Sequence, residues 1–356
     1  HAIDGWDPED HPRSVLSGRT NDEVQADPDR LWRSDLPAAR ASVALRTPAA
    51  GPAELAALDE MGTHGTWEVF GRRLKLTNLD KELFPGVPKR DFVRYAATVA
   101  PTVLPYLAGR ALNMHRFPGG VGTAGFWHKQ LPDHAPDWLP RWDNPEADDG
   151  EVRTYLVVDE PAALVWAANF GALEWHAWTS RTDRPRQPTY ALVDIDPGPD
   201  TTWADVLTLA RLHRTALEHL HVRAQPKVTG RRGIQIWIPV ARGPSFAETR
   251  AWVERLSRAV GGVVPELVSW QWQVRDRSGQ ARLDYTQNAI NKTLVAPYSP
   301  RAAAHAPVSA PIDWDELDDP DLRPDGITLH DIPARLAERG DLFRPVLTPQ
   351  TLPTIS

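Results

Sequence analysis

Two aspartates one residue apart close an apolar run, Thr189-Tyr190-Ala191-Leu192-Val193-Asp194-Ile195-Asp196-Pro197-Gly198-Pro199. Alternate side chains of a strand share a face, so Asp194 and Asp196 point one way and Ile195 the other. Pro197 and Gly198 stop the strand just after them. Carboxylates on one face repel unless a cation lies between them or one stays protonated. A divalent metal site is one reading of this pair; an exposed strand end or a helix cap is the plainer one. A third acid, Asp284, ends a later strand pattern, Arg282-Leu283-Asp284-Tyr285. Three carboxylates can hold two Mg²⁺ or Mn²⁺ ions roughly 3.5–4 Å apart for in-line phosphoryl displacement. Oxygen ligands suit those hard cations. Between the acids lies a basic, glycine-punctuated turn, Lys227-Val228-Thr229-Gly230-Arg231-Arg232-Gly233, able to offer backbone N–H groups and guanidinium to phosphates. It lacks the spacing of a P-loop.

Other residues are candidates with plainer alternatives. Phe126-Trp127-His128-Lys129 is either core or a stacking platform beside a phosphate contact. His176 alternates with Trp175 in a strand pattern, where a lone histidine is more often structural. Lys81 and Lys89 flank a loop and matter only if they converge.

Several elements must position these groups. Pro52 to Met61 has helix formers with apolar spacing, and a short helix is predicted around Leu31-Trp32. Trp67 to Thr77 reads as a hairpin with basic outward positions, and Asn78 to Pro85 as a turn into a short helix. The spacing predicts helices over Phe92 to Leu107, Pro161 to Asn169, Trp203 to Leu220, Phe246 to Val260 and Ile332 to Glu338. Strands are predicted at Ala111 to Arg116, Tyr155 to Val158, Leu173 to Trp178, Ile234 to Ile238 and Leu294 to Ser299.

The 356 residues suit one large domain or two ordinary ones, and 41% hydrophobic content is enough for a real core. With no cysteine, disulfides and thiolate metal sites are excluded. No stretch approaches the roughly 18 apolar residues of a membrane span. No secretory pattern opens the chain, and a cytoplasmic place is expected. A formal net charge of -7 does not advertise a nucleic-acid binder, so any such surface must be a local basic patch.

The motifs occur in a telling order. They are Thr77-Asn78-Leu79-Asp80-Lys81-x-Leu83-Phe84-Pro85, Phe126-Trp127-x-Lys129, Leu173-Glu174-Trp175-His176, Val193-Asp194-Ile195-Asp196-Pro197-Gly198, the Thr229-Gly230-x-Arg232-Gly233 turn, and Asp284-Tyr285-x-Gln287-Asn288 through Thr293 to Ala296-Pro297-Tyr298-Ser299. Over about Leu74 to Leu317 the chain resembles the polymerase domain of bacterial ligase D, in the archaeo-eukaryotic primase superfamily. It is most similar to the stand-alone actinobacterial primase-polymerases, which also carry an N-terminal extension.

The resemblance implies an α+β fold: a catalytic core with an RRM-like sheet carrying the acids, beside a second α/β module. It implies an extension at 1–62 packed on the body, a catalytic domain at 63–320 and a tail at 321–356. It implies that Asp194, Asp196 and Asp284 bind two metal ions, Mn²⁺ with Mg²⁺ as the alternative. His176, Thr229, Arg232, Arg277, Arg301, Phe126 and Trp127 would meet nucleotide or template, and Asn78, Lys81 and Lys89 the 5′-phosphate of a downstream strand. The implied activity is template-dependent addition of nucleotides, ribonucleotides included, in gap filling or break repair. The implied partners are gapped or broken DNA, nucleoside triphosphates, a separate DNA ligase and end-binding proteins; a nucleoid-associated monomer is expected. Three departures stand out. Thr229 and Arg232 replace the family's usual Ser and Lys, Gln235 stands where a His is common, and His115 where a Lys is common. Two other readings remain open on the residues: a metal-dependent nuclease using the same acids, and a non-catalytic DNA-end-binding module.

Overall fold

The computed structural model describes residues 20–26, 30–32, 42–44, 49–148, 150–292 and 294–355. Thr293 of the motif above therefore lies outside the described residues. The chain divides into two units, 1–48 and 49–356. In the first, α1 (Asn21–Ala26) precedes β1 (Arg30–Trp32), which pairs antiparallel with β2 (Ser42–Ala44). Leu31-Trp32 is thus a strand and not the predicted helix. A helix this short has little stability of its own, whereas the facing segment supplies ladder hydrogen bonds. Residues 33–41 of that expected helix lie outside the described residues.

The larger unit opens with α2 (Pro52–Glu60), β3 (Gly65–Val69) and β4 (Arg72–Leu76). The indole N–H of Trp67 donates to the Glu54 carbonyl oxygen at 2.7 Å, and the Phe70 N–H to Glu54 Oε1 at 2.9 Å, fastening α2 to the hairpin. The predicted short helix before Pro85 is instead a second small hairpin, β5 (Glu82–Phe84) and β6 (Val87–Pro88). Asn78 at φ 54° and Gly86 at φ 74° are left-handed, and each turns the chain where a helix would have to continue.

α3 (Lys89–Leu107), β7 (Ala111–Arg116), β8 (Phe126–His128), β9 (Arg141–Asp143), β10 (Thr154–Val157), α4 (Pro161–Asn169) and β11 (Ala172–Ala177) build the first α/β module. Its strand order is β11-β7-β10-β9, with β8 beside β7. One face packs on the helices: buried Trp175 lies 6.4 Å from Tyr95 and 6.3 Å from Phe92, both on α3. By alternation Glu174 and His176 point to the other face.

After β12 (Ser180–Arg181) and β13 (Arg184–Pro188) comes the second module: β14 (Tyr190–Pro197), α5 (Trp203–His219), β15 (Gln225–Val228), β16 (Ile234–Pro239), α6 (Phe246–Val263) and β17 (Ala281–Leu283). The order β15-β16-β14-β17, antiparallel throughout, is the βαββαβ arrangement of an RRM-like sheet. Both helices begin with a capping box, Thr202 with Asp205 and Ser245 with Glu248. They bury Val206, Leu209, Ala210, Leu217, Trp252, Val253, Leu256 and Val260. The α+β expectation holds.

Leu294 to Ser299 is not a strand. Pro297 has no N–H, and Tyr298 is left-handed at φ 63°, so no regular ladder forms. Single bonds hold the segment, Ala296 N–H to the Trp175 carbonyl oxygen and Tyr298 N–H to that of Ser309, both 2.8 Å. After α7 (Ile332–Arg339), buried Phe343 packs edge-on against Tyr106 at 5.5 Å and Trp237 at 5.7 Å. The tail thereby touches α3 and β16 at once.

Candidate active site

A cross-strand row crosses the open face of the RRM-like sheet. Lys227 on β15 faces Gln235 on β16, and Gln235 faces Asp194 on β14. β17 pairs Leu283 with Ile195, and one step on the Asp284 N–H donates to the Asp194 carbonyl oxygen at 2.8 Å. Register alone therefore puts the third acid beside the first. Further along that edge Asn288 replaces the strand: its side-chain amide bonds both the N–H and the carbonyl oxygen of Leu192, each at 2.9 Å.

The three acids sit in different environments. Asp194 is half-buried and takes a hydrogen bond from Gln235 Nε2 at 3.1 Å. Burial, then the charges of Asp196 and Asp284, push its carboxyl up to about 7. Asp196 Oδ2 lies 2.7 Å from Nη1 of buried Arg277. Asp284 resists its own burial because Thr286 and Gln287 donate to it and Arg282 stands 3.3 Å away; its carboxyl stays below the ordinary value. Among the described residues no three His, Cys, Asp or Glu side chains stand in metal-holding geometry. The donor chemistry nonetheless fits a hard divalent cation: three carboxylates, one of them resisting ionisation for want of positive charge.

The basic turn closes over the end of β14. A Cβ at Gly233 would stand 2.3 Å from the Ile195 carbonyl oxygen, so only glycine allows this approach. Thr229 Oγ1 accepts from the N–H groups of Gly233 at 3.2 Å and Arg231 at 3.3 Å. Arg232 donates to the Pro197 carbonyl oxygen at 3.2 Å. Lys227 is buried, with Nζ 2.6 Å from Ser309 Oγ. Burial and the charge of Arg301 drive its ammonium well below the usual lysine value, with Asp194 opposing.

Glu174 joins the two modules. Its Oε2 lies 3.1 Å from both His115 Nδ1 and His176 Nε2. Its Oε1 accepts from Arg301 Nε at 3.1 Å, the Ala302 N–H at 2.9 Å and Arg231 Nη2 at 3.4 Å. Burial opposes its charge, yet the two histidines and Arg301 hold the carboxyl far below the usual range. Arg301 also donates to the Thr229 carbonyl oxygen at 2.7 Å, so this one carboxylate orients His176 and two arginines beside the turn. Trp127 stacks on His115 at 4.5 Å and meets His176 edge-on at 4.8 Å. Phe126 and Trp127 are 46% and 43% exposed, which makes them a platform and not core.

Asn78, Lys81 and Lys89 converge elsewhere. The Lys81 N–H donates to the Asn78 carbonyl oxygen at 3.0 Å and the Lys89 N–H to that of Lys81 at 2.7 Å. Lys89 Nζ donates to the Thr77 carbonyl oxygen at 2.7 Å. Burial, then the charges of Lys81 and Arg116, bring Lys89 down to about 8. Among the described residues none of these three cations pairs with a carboxylate. Arg116, whose guanidinium lies 3.5 Å over the Phe170 ring, escaped the sequence reading. Glu174 was quoted there only within a motif and given no role, although its two-residue spacing from His176 put both on one strand face.

The match to the model of the LigD primase-polymerase domain spans residues 88–343. Among curated proteins, the multifunctional non-homologous end joining protein LigD of Mycolicibacterium smegmatis is 32% identical over 278 residues, 77% of this chain and 36% of its own length. The bifunctional LigD of Bacillus subtilis is 30% identical over 274 residues, 76% of this chain and 44% of its own. The chain thus spans less than half of either relative. Among solved structures, the polymerase domain of Mycobacterium tuberculosis ligase D in complex with DNA matches with a TM-score of 0.71 and 31% identity, covering 78% of this chain and 99% of that one. The chain belongs to the LigD primase-polymerase domain family.

Proposed function

We propose that this protein is a template-dependent primase-polymerase that adds nucleotides, ribonucleotides included, at gaps or breaks in DNA. The observation that carries the reading is the 2.8 Å backbone bond that sets Asp284 against Asp194, on the face where Asp196 also points. Asp194, Asp196 and Asp284 would hold two divalent cations, Mn²⁺ or Mg²⁺, which supply activation of a 3′-hydroxyl and neutralisation of the leaving pyrophosphate. Arg232, Arg301 and His176 carry positive or protonatable groups toward the triphosphate, with Glu174 fixing the last two. Thr229 shapes the turn by accepting from the Gly233 and Arg231 N–H groups, which sets Arg232 beside the end of β14. The Phe126–Trp127 platform offers exposed π-faces to a base of the template. Lys81, Lys89 and Arg116 form a cation cluster, with Asn78 beside it, suited to a downstream 5′-phosphate. Among the described residues no helix is long and apolar enough to cross a membrane. A place at the nucleoid, beside a ligase and end-binding proteins, fits this role.

The test is extension of a gapped and of an unprimed template, with Mn²⁺ or Mg²⁺ and either ATP or dATP. Addition by the wild type and none by Asp284→Ala is expected. Metal-dependent cleavage of the DNA without nucleotide would overturn the reading. A hundredfold preference for dATP, about 2.7 kcal/mol, would overturn its ribonucleotide part.

A further inference from the structure

Beyond the acids, three aromatic side chains in the stretch 270–285 each carry an arginine. The Arg282 guanidinium lies 4.8 Å over Trp272, that of Arg258 4.0 Å over Trp270, and that of Arg250 5.6 Å over Tyr285. The rings of Trp270 and Tyr285 are 6.4 Å apart. This series begins at the acids. Arg282 stands 3.3 Å from Asp284, and the Trp272 carbonyl oxygen accepts at 3.1 Å from Arg277, the partner of Asp196. Trp272 is 65% exposed and Val274 41%, an apolar tip that packing does not explain. At the far end the series runs onto the outer face of α6. Two concavities share that face. One, of about 630 Å³, is bounded by Phe246, Arg250 and Ile290; the other, of about 500 Å³, by Arg255, Arg258 and Ile355.

The charges near this face are nearly equal in number, but they are not all paired. Glu254 is taken by Arg258 at 3.4 Å, Arg186 by Glu146 at 2.9 Å, and Arg275 lies 3.7 Å from Asp276. Exposed Glu266 is the remaining acid of the region, and Glu248 is engaged in its capping box. Arg250 and Arg255, both exposed, have no carboxylate partner among the described residues. A face with unpaired arginines and interleaved aromatic rings, on a chain of formal charge -7, calls for a polyanion that also has π-faces.

We propose that α6 and the stretch 270–285 form a track for a single nucleic-acid strand, leading between the acids and the outer face of α6. The track rests on the function proposed above. Trp272 takes an unstacked base next to the acids, and Arg250 and Arg255 take phosphates further along.

The experiment measures binding of labelled oligothymidylates of about 4 and about 16 nucleotides, a range set by known single-strand site sizes. It uses the full chain, without metal or nucleotide, over a salt series. Arg250→Ala/Arg255→Ala should bind the long strand about tenfold more weakly, with a salt slope shallower by about 0.7 per arginine removed. The short strand should bind both proteins alike. Trp272→Ala should weaken both strands, and Trp272→Phe should restore most of the loss. The arginine variant should still add one nucleotide to a gapped duplex at saturating DNA. Unchanged affinity and slope in the arginine variant would overturn the track, as would polyglutamate competing as well as the oligonucleotide. Failure of the function itself is a separate result, seen as no nucleotide addition by the wild type.

Discussion

Asp194 and Glu174 are both carboxyls removed from water, and the protein treats them oppositely. Glu174 has five donors and stays ionised. Asp194 has Gln235 and two anionic neighbours, so burial wins and its carboxyl rises to about 7. A carboxyl raised above its unfolded value of 3.8 supports stability at low pH and loses that support as pH rises through about 7. At pH 8 the ionised group therefore strains the metal-free protein, by roughly 1–3 kcal/mol once coupling to its neighbours is discounted. Asp194→Asn should raise the metal-free melting temperature at pH 8 by several degrees while abolishing nucleotide addition. The gain should shrink at pH 5, where the wild-type carboxyl is already protonated. Mn²⁺ should stabilise the wild type and not the variant, since ligand binding to the folded state shifts its melting. Calorimetry at the two pH values decides; a variant less stable at both would show that Asp194 is not under strain.

At the scale of elements, the turn from Asn78 to Lys89 makes the clearest case. Burial first, and then the nearby charges of Lys81 and Arg116, depress Lys89 to about 8. Isolated exposed contacts to phosphate give under about 1 kcal/mol, so convergence is what makes this site useful. The wild type should bind a gap with a 5′-phosphate about tenfold more tightly than one without, and Lys81→Ala/Lys89→Met should lose that preference. Because Lys89 loses its proton above about 8, the wild-type preference should also weaken between pH 7 and pH 9. Paired titrations of the two gaps at fixed salt would show it; equal wild-type affinity for both would leave the lysines without a phosphate-binding role. What could be read from sequence followed where local signals agreed. The apolar run before Asp194 and the helical spacings of Trp203 to Leu220 and Phe246 to Val260 each point to one answer, and β14, α5 and α6 form as expected. Where tertiary contacts decide, local pattern misleads. Leu294 to Ser299 has strand residues but is held by single bonds to Trp175 and Ser309. The hairpin of β5 and β6 replaces a helix because left-handed Asn78 precedes it and left-handed Gly86 makes its turn. Arg277 is buried against Asp196, a contact no spacing rule foretells.

For the whole molecule, the pH response is a sum of groups titrating in separate windows, and a buried imidazole in α5 sets one of them. His213 lies on the inner face of the helix that backs the acid-bearing sheet. Its Nδ1 donates to the Leu209 carbonyl oxygen at 2.7 Å, and its buried Nε2 has no partner. Burial lowers it to about 4, against 6.5 for an exposed histidine. The unfolded chain thus takes up this proton first. The stability due to neutral His213 is complete above about 6.5 and is lost as pH falls toward 4, by about 3 kcal/mol at most. Over much of that range Asp194 acts in the opposite sense, since protonating it relieves strain. A single acid-denaturation curve therefore hides both effects, and a difference between proteins separates them. His213→Leu removes the titrating group and the unpaired nitrogen while keeping an apolar side chain on the helix interior. Its stability relative to wild type should be nearly constant above pH 6.5 and should rise steadily from pH 6.5 to pH 4.5. Denaturant titrations at closely spaced pH values measure this directly. A difference that stays flat across the whole range would mean that His213 takes up its proton at the same pH in the folded and unfolded chains, with solvent or a carboxylate reaching Nε2.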